Sequence, residues 1–236
     1  LYSSAASDVY KRQVCDNEFK IKTVKTGKPH LIGSDPDLRP KYQGIDSVKY
    51  DVIVCPHCGY GALSRFFSYM TTHQAKLIHD NISVNFKGLA PTGDTYTYDD
   101  AITRYKLALL NTVVKKAKVS ERAYTCLKLA WLYRGKAENL KPDEADYAKK
   151  KEECAKAEKE MLANAYEGFM MSVSKENFPI CGMDETTLDY LMANLAKQIG
   201  RIDEASRIVS RILVSKTANP KIKDKARDLK ELLKTK

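Results

Sequence analysis

Cys55-Pro56-His57-Cys58-Gly59-Tyr60 follows directly on the apolar run Tyr50-Asp51-Val52-Ile53-Val54. Two cysteines two residues apart, with Pro between them and Gly after, fold the backbone into a tight turn. Such a turn aims both thiolates at one point about 2.3 Å from each sulfur, the distance of a zinc–thiolate bond. Cys15 reads as half of a second such knuckle, whose partner position, three residues earlier, is held by Arg12. Cys15, Cys55 and Cys58 are therefore the candidate metal ligands, and the ion they imply is structural Zn2+. Thiolates that close a tetrahedral ion leave no open position, so the ion stabilises folding and does not activate water. The same Cys-x-x-Cys spacing also serves redox pairs, but those open a helix among alternating strands and helices, whereas this pair ends a strand. His57, inside the knuckle, is expected to face solvent.

Other groupings carry less chemistry. His73 and His79 are six apart in a helical stretch and so point to different faces; with Asp80 they read as surface residues. Asp35, Asp37 and Arg39 lie in a Pro-bounded segment where turn chemistry accounts for them as well as a ligand would. The chain has no phosphate-cradling Gly loop, no nucleophile elbow and no His-Glu-x-x-His run, so no catalytic residue is assigned and a non-enzyme is expected. Cys126, Cys154 and Cys181 are scattered through helical text and read as small buried hydrophobes, unlike a secreted disulfide framework. No apolar stretch approaches the roughly 20 residues that cross a bilayer, which makes the cytoplasm the expected location. The net charge of +10 raises nucleic acid as a partner. Its distribution argues otherwise: Lys197 to Lys236 holds 12 Lys/Arg against 5 Asp/Glu, hence +7, while Thr95 to Ala196 has 16 of each and nets zero. A solvated basic helix face explains that pattern.

These residues are positioned by two kinds of text. Glu18 to Lys25 alternates apolar or β-branched with charged residues, the mark of a half-buried strand. Pro29, Gly33, Pro36 and Pro40 break the next stretch into loop, and Tyr50 to Val54 resumes as the strand that delivers Cys55. Beyond the knuckle, Ala62, Phe66 and Phe67 open a helix that continues through Met70, Leu77 and Ile78. Thr92-Gly93-Asp94 marks a boundary, after which six helices follow. Asp99 and Asp100 start the first, Ser120 caps the second, Pro142 enters the first turn of the third, and the stripe Leu188 to Ile199 closes on Gly200. Stripes at Ile202 to Ile212 and Ile222 to Leu233 complete an antiparallel array.

The pair around Gly200 resembles a tetratricopeptide repeat: Met192-Ala193, Gly200, Ala205 and Val209 fall at its interlocking positions, and Gly200-Arg201-Ile202-Asp203-Glu204-Ala205 matches its inter-helix turn. Leu129-Ala130, Tyr133 and Gly135 resemble the end of an earlier first helix. Ile212 stands where the repeat prefers Ala, so the repeats are degenerate, and a plain helical bundle is the alternative. Over a longer span, Cys15-Asp16-Asn17-Glu18-Phe19, Asp35-Pro36-Asp37-Leu38-Arg39-Pro40-Lys41-Tyr42 and the knuckle with its Tyr60 resemble the bacterial proteins grouped as domain of unknown function 2225. That resemblance implies a bacterial protein of no established activity. It also implies a Cys-Pro-x-Cys at the first knuckle, which places the missing cysteine and proline at Arg12 and Gln13. Asp8 to Gln13 matches a translated transposase mosaic end from sequencing libraries, so residues 1–13 are expected to be an adapter-derived leader and the native chain to begin near Val14.

The expected architecture is thus α+β and mostly α, with a zinc-ribbon-like domain over 14–94 and a tetratricopeptide-like helical array over 95–236. The expected function is a zinc-binding, non-enzymatic scaffold whose helical groove takes a protein or peptide. Nucleic-acid binding through the ribbon and the basic C-terminal helices is the alternative, weakened by the lack of interleaved aromatic and basic residues on the ribbon strands.

Overall fold

The computed structural model describes residues 9, 10, 14, 15, 17–25, 27 and 29–234. Among them, short antiparallel strand pairs precede a run of helices, the α+β, mostly α architecture that the residue pattern predicts. The pairs are β1 (Val9–Tyr10) with β2 (Phe19–Lys20), β3 (His30–Ser34) with β4 (Pro40–Gln43), and β5 (Val52–Val54) with β6 (Gly61–Leu63). Then come α1 (Ser64–Phe67), α2 (Thr72–Asn81), α3 (Tyr98–Val114), α4 (Val119–Asn139), α5 (Tyr147–Lys175), α6 (Glu185–Ile199), α7 (Ile202–Val214) and α8 (Pro220–Lys234). From α3 onward each helix packs on its neighbours in sequence, and α6 also touches α8.

Local chemistry sets the helix ends. At α3 the Thr97 hydroxyl accepts from the Asp100 N–H (3.1 Å) while the Asp100 carboxylate accepts from the Thr97 N–H (2.9 Å), a reciprocal cap that satisfies two otherwise orphaned donors. Asp184 accepts from the Thr187 N–H at 2.7 Å to start α6. That helix stops at Gly200, whose φ of +89° lets the Arg201 N–H return to the Ala196 carbonyl at 2.8 Å.

Several expected boundaries differ. The strand expected over Glu18 to Lys25 is a strand only at Phe19–Lys20, which pair with β1; beyond it, the Lys22 ammonium donates to Thr92 Oγ1 (2.8 Å). The segment read as loop before the knuckle contains the β3–β4 hairpin. Pro40 enters only as the first residue of its strand, where no ladder donor is needed. The stretch from Ala62, expected as helix, begins as strand β6, because the Gly59 turn folds the chain back onto β5. Ser120 lies inside α4, where its N–H (2.9 Å) and hydroxyl (2.6 Å) donate to the Glu176 carboxylate at the end of α5. Pro142 lies within a turn from Lys141 to Glu144, whose carboxylate accepts from the Lys141 N–H at 3.1 Å, and α5 starts only at Tyr147. The expected leader falls outside the described residues except for the β1 backbone.

The β5–β6 hairpin is buried on both faces. Val52, Val54 and Leu63 join the large core of α3 to α8, whereas Ile53 and Ala62 face a smaller core with Phe19, Phe67, Ile78 and Ile82. The larger core therefore runs across the segment Thr92-Gly93-Asp94. A second junction is polar. Asp37, fully buried in the β3–β4 turn, accepts from both Arg134 Nη atoms (3.1 and 2.7 Å), Trp131 Nε1 (3.3 Å) and Gln198 Nε2 (3.3 Å). Arg39 pairs in a fork with Glu138 (3.1 and 2.6 Å), and Asp35 takes Lys41 (2.7 Å) and Arg134 (3.1 Å). The three loop residues singled out in the sequence thus spend their charges on α4 and α6.

Removing one partner of a buried pair costs more than forming the pair gains, because the other charge stays desolvated. Asp37→Ala is therefore expected to destabilise the fold by about 3 kcal/mol, Arg134 keeping Asp35, Glu158 and the Gln198 amide oxygen but losing its most buried partner. Asp35→Ala should cost clearly less. Urea unfolding midpoints of both variants check the order.

Candidate metal centre

The turn between β5 and β6 is closed by its own backbone. The Cys55 N–H donates to the Tyr60 carbonyl (2.8 Å), the Gly59 N–H to the Cys55 carbonyl (3.1 Å), and the His57 N–H to Cys55 Sγ (3.4 Å). Gly59 has φ +71°, and a Cβ there would stand 2.7 Å from the Phe86 ring, so conformation and space both demand glycine. Cys55 and Cys58 are buried, and Cys15 approaches them from the segment before β2. The three sulfurs lie within 4.8 Å of one another.

The separation of Cys15 Sγ and Cys55 Sγ is 3.7 Å. Two sulfurs each about 2.3 Å from one tetrahedral ion stand about 3.8 Å apart, whereas a disulfide would hold them at about 2.05 Å. The spacing therefore fits an ion held between thiolates. Of Cys55 and Cys58, Cys55 is the one brought down. Donation from the Cys58 thiol, and then from the Cys58 and His57 backbone N–H groups and the Cys15 thiol, brings it down to about 5 against the burial that opposes this. Cys58 is pushed up, first by its hydrogen bond to Cys55 and then by burial. Cys15, Cys55 and Cys58 would hold a cation as thiolates, their remaining protons being released on binding.

Residues that the sequence reading did not single out hold the knuckle's remaining polar groups. Asn111 of α3, fully buried, donates from Nδ2 to the Gly59 carbonyl (3.1 Å) and to its own helix at Leu107 (2.8 Å). Ser83 Oγ donates to the Cys58 carbonyl (2.9 Å), and the Tyr60 hydroxyl to the Phe67 carbonyl (2.9 Å). The Lys115 ammonium lies 5.6 Å from the Tyr60 ring centre and 2.7 Å from Glu121, so an ion pair is buried one layer behind the cysteines. Asn111 was findable: it lies on the apolar stripe of Tyr105, Ala108 and Thr112, where an amide needs a specific partner. Ser83 follows a helix end and carries no such signal.

The remaining candidates stand apart. His57 and His73 are exposed, and His79 faces Asp80 (3.0 Å) at the surface. Cys126 and Cys154 are buried in helices, while Cys181 is half-buried and donates to the Ser120 carbonyl (3.4 Å). Arg12 and Gln13 lie outside the described residues. Among those described, no helix is long and apolar enough to cross a membrane.

The knuckle's glycine and its amide anchor make separable demands. Gly59→Ala should lower stability by about 2 kcal/mol through left-handed strain and collision with Phe86. Asn111→Ala should weaken metal binding about tenfold by freeing the turn that orients Cys58. Thermal unfolding checks the first expectation, and cobalt titration against a chelator the second.

A family model described as an uncharacterised protein conserved in bacteria, domain of unknown function 2225, matches residues 10–233. No curated protein and no solved structure matches the chain.

Proposed function

The chain belongs to that bacterial family, and from this premise we propose that it is a zinc-stabilised interaction scaffold, not an enzyme. The observation that supports zinc is the trio of sulfurs, with its 3.7 Å edge matching that of a tetrahedral thiolate site. Soft thiolate donors favour zinc over magnesium or calcium, and three thiolates completed by a fourth, as the family resemblance implies for position 12, would make a closed structural site. The ion would join the Cys15 segment to the β5–β6 turn, and hence the small core to α3 through Asn111 and Gly59.

The interaction role rests on the helices. Antiparallel pairs stacked side by side present grooves that accommodate an extended chain. A nucleic-acid reading draws on the excess of positive charge from Lys197 onward, which includes α8. Affinity for arbitrary DNA that falls steeply with salt would favour that reading.

Metal content of the purified chain, measured by plasma mass spectrometry, should be about one zinc per chain, and Cys58→Ser should lose it. Iron in place of zinc, or no metal, overturns the assignment. The paired change Arg12→Cys and Gln13→Pro adds a fourth thiolate and should raise zinc affinity in competition with a chelator. Unchanged affinity would remove position 12 from the ligand set. The scaffold role is checked by cross-linked capture from the bacterial source: recurrent protein partners support it, and their absence, or turnover in a broad substrate screen, removes it.

A further inference from the structure

A groove of about 1210 Å³ opens where α1, the start of α4 and the end of α5 meet. Its walls combine two kinds of surface. Phe66, Tyr69 and Met70 of α1 and the residues after it are apolar, and Tyr69 is 77 % exposed, an unusual position for a large aromatic ring. Arg65, Lys116, Lys118 and Lys175 supply the charge.

The charge is only partly balanced locally, Lys118 acting on Glu121 from beyond ion-pair distance. Among the described residues, no carboxylate lies within ion-pair distance of Lys116, Lys118 or Lys175, and Arg65 donates to the Cys181 carbonyl (2.7 Å) while stacking on Phe66 and Tyr124. The groove's two carboxylates are already engaged: Glu121 by Lys115 at 2.7 Å, and Glu176 by the N–H and hydroxyl of Ser120. Glu176 also shows the mode of recognition this surface supports, a carboxylate held by a first-turn N–H at the positive end of a long helix.

We infer that this groove docks an acidic peptide segment bearing an aromatic or bulky aliphatic anchor. The anchor would lie against Tyr69 and Met70, and its flanking carboxylates against Lys116, Lys118 and Lys175. A nucleic-acid strand has the same sign of charge but fits less well. Its phosphates recur at fixed short intervals and would pass Glu121 and Glu176, whereas a peptide can space its carboxylates around them. The inference rests on the scaffold reading and gives it a place and a partner chemistry, at the end of the helical array nearest the cysteine cluster.

The test uses the full zinc-loaded chain and fluorescence anisotropy with three labelled probes: a random Glu/Tyr copolymer, poly-Glu and oligodeoxythymidylate. The copolymer should bind most tightly. Lys118→Glu with Lys175→Glu should weaken it about tenfold, the scale of two partly screened ion pairs lost and reversed. Tyr69→Ser, at a side chain outside both cores, should weaken the copolymer and leave poly-Glu unchanged. It keeps the test decisive should the charge-reversed chain fail to fold, as circular dichroism would show. Failure of the copolymer to bind, equal or tighter binding of oligodeoxythymidylate, or indifference to Tyr69→Ser each overturns the inference. Partners still captured from the bacterial source by the groove variants would then leave the scaffold role standing elsewhere on the surface, while no capture by the unaltered chain would remove the scaffold role itself.

Discussion

Six residues of extended chain, Val52–Val54 and Gly61–Leu63, are buried on both faces, and through them each core depends on the other. Alternation along the hairpin sends Val52, Val54 and Leu63 toward the helices and Ile53 and Ala62 toward the cysteine side. Each large apolar side chain contributes roughly 1.5–3 kcal/mol on burial, so neither core is indifferent to the hairpin's place. Because the pair is only three residues long on each strand, its own ladder is too short to stand alone. It is held by what it separates: the Tyr105 hydroxyl on the Val48 carbonyl (2.7 Å) just before it, and Asn111 on Gly59 at its tip.

That arrangement explains the location of the cysteines. Thiols converge on one point only where the turn that carries them is fixed, and here its own backbone hydrogen bonds, Ser83 and Asn111 of α3 fix it. Closing the Cys15 segment onto this turn links parts of the chain 40 residues apart, a loop whose closure entropy a small core of Phe19, Tyr60, Phe67 and three isoleucines alone would offset poorly. The β3–β4 hairpin reaches the same helices by another route. Its turn carries Asp35, Asp37 and Arg39 into α4 and α6, where forked guanidinium–carboxylate pairs satisfy groups that burial would otherwise penalise. Such a network contributes little net energy over an apolar contact, but it is intolerant of misplacement and so fixes where the hairpin docks.

Legibility in the sequence followed the range of the forces involved. The helices after Asp94 were readable because their signals are local: 3.6-residue stripes, Gly200 at a left-handed stop, acidic residues in the first turn of α3. The knuckle was readable because two thiolates and a Gly in six residues encode one turn. What failed was pairing. Glu18 to Lys25 has strand periodicity yet only Phe19 and Lys20 pair with another strand, and β3 and β4 include Gly33 and Pro40, which argue for loop, while their turn docks on Arg134 and Glu138 about a hundred residues on. Ser120 looked like a cap, and Glu176, 56 residues later, holds it inside the helix. The meeting of Cys15 with Cys55 and Cys58 was expected from the knuckle spacing, since thiolates that are to share one ion must converge on one point.

The buried Lys115–Glu121 pair connects these themes. Lys115 ends α3, Glu121 lies in the first turn of α4, and the ammonium lies against the Tyr60 ring directly after the knuckle. Burial pushes the Glu121 carboxyl up, and Lys115 beside it pulls it back down, so the charge on Glu121 is sustained by Lys115 remaining where it is. A shift of the knuckle that displaced Tyr60 would therefore reach the α3–α4 corner as an electrostatic penalty rather than as slack packing. Since Glu121 also lines the cationic groove, the ring that follows the cysteine turn, the junction of two long helices and the edge of an exposed surface meet at the same two side chains.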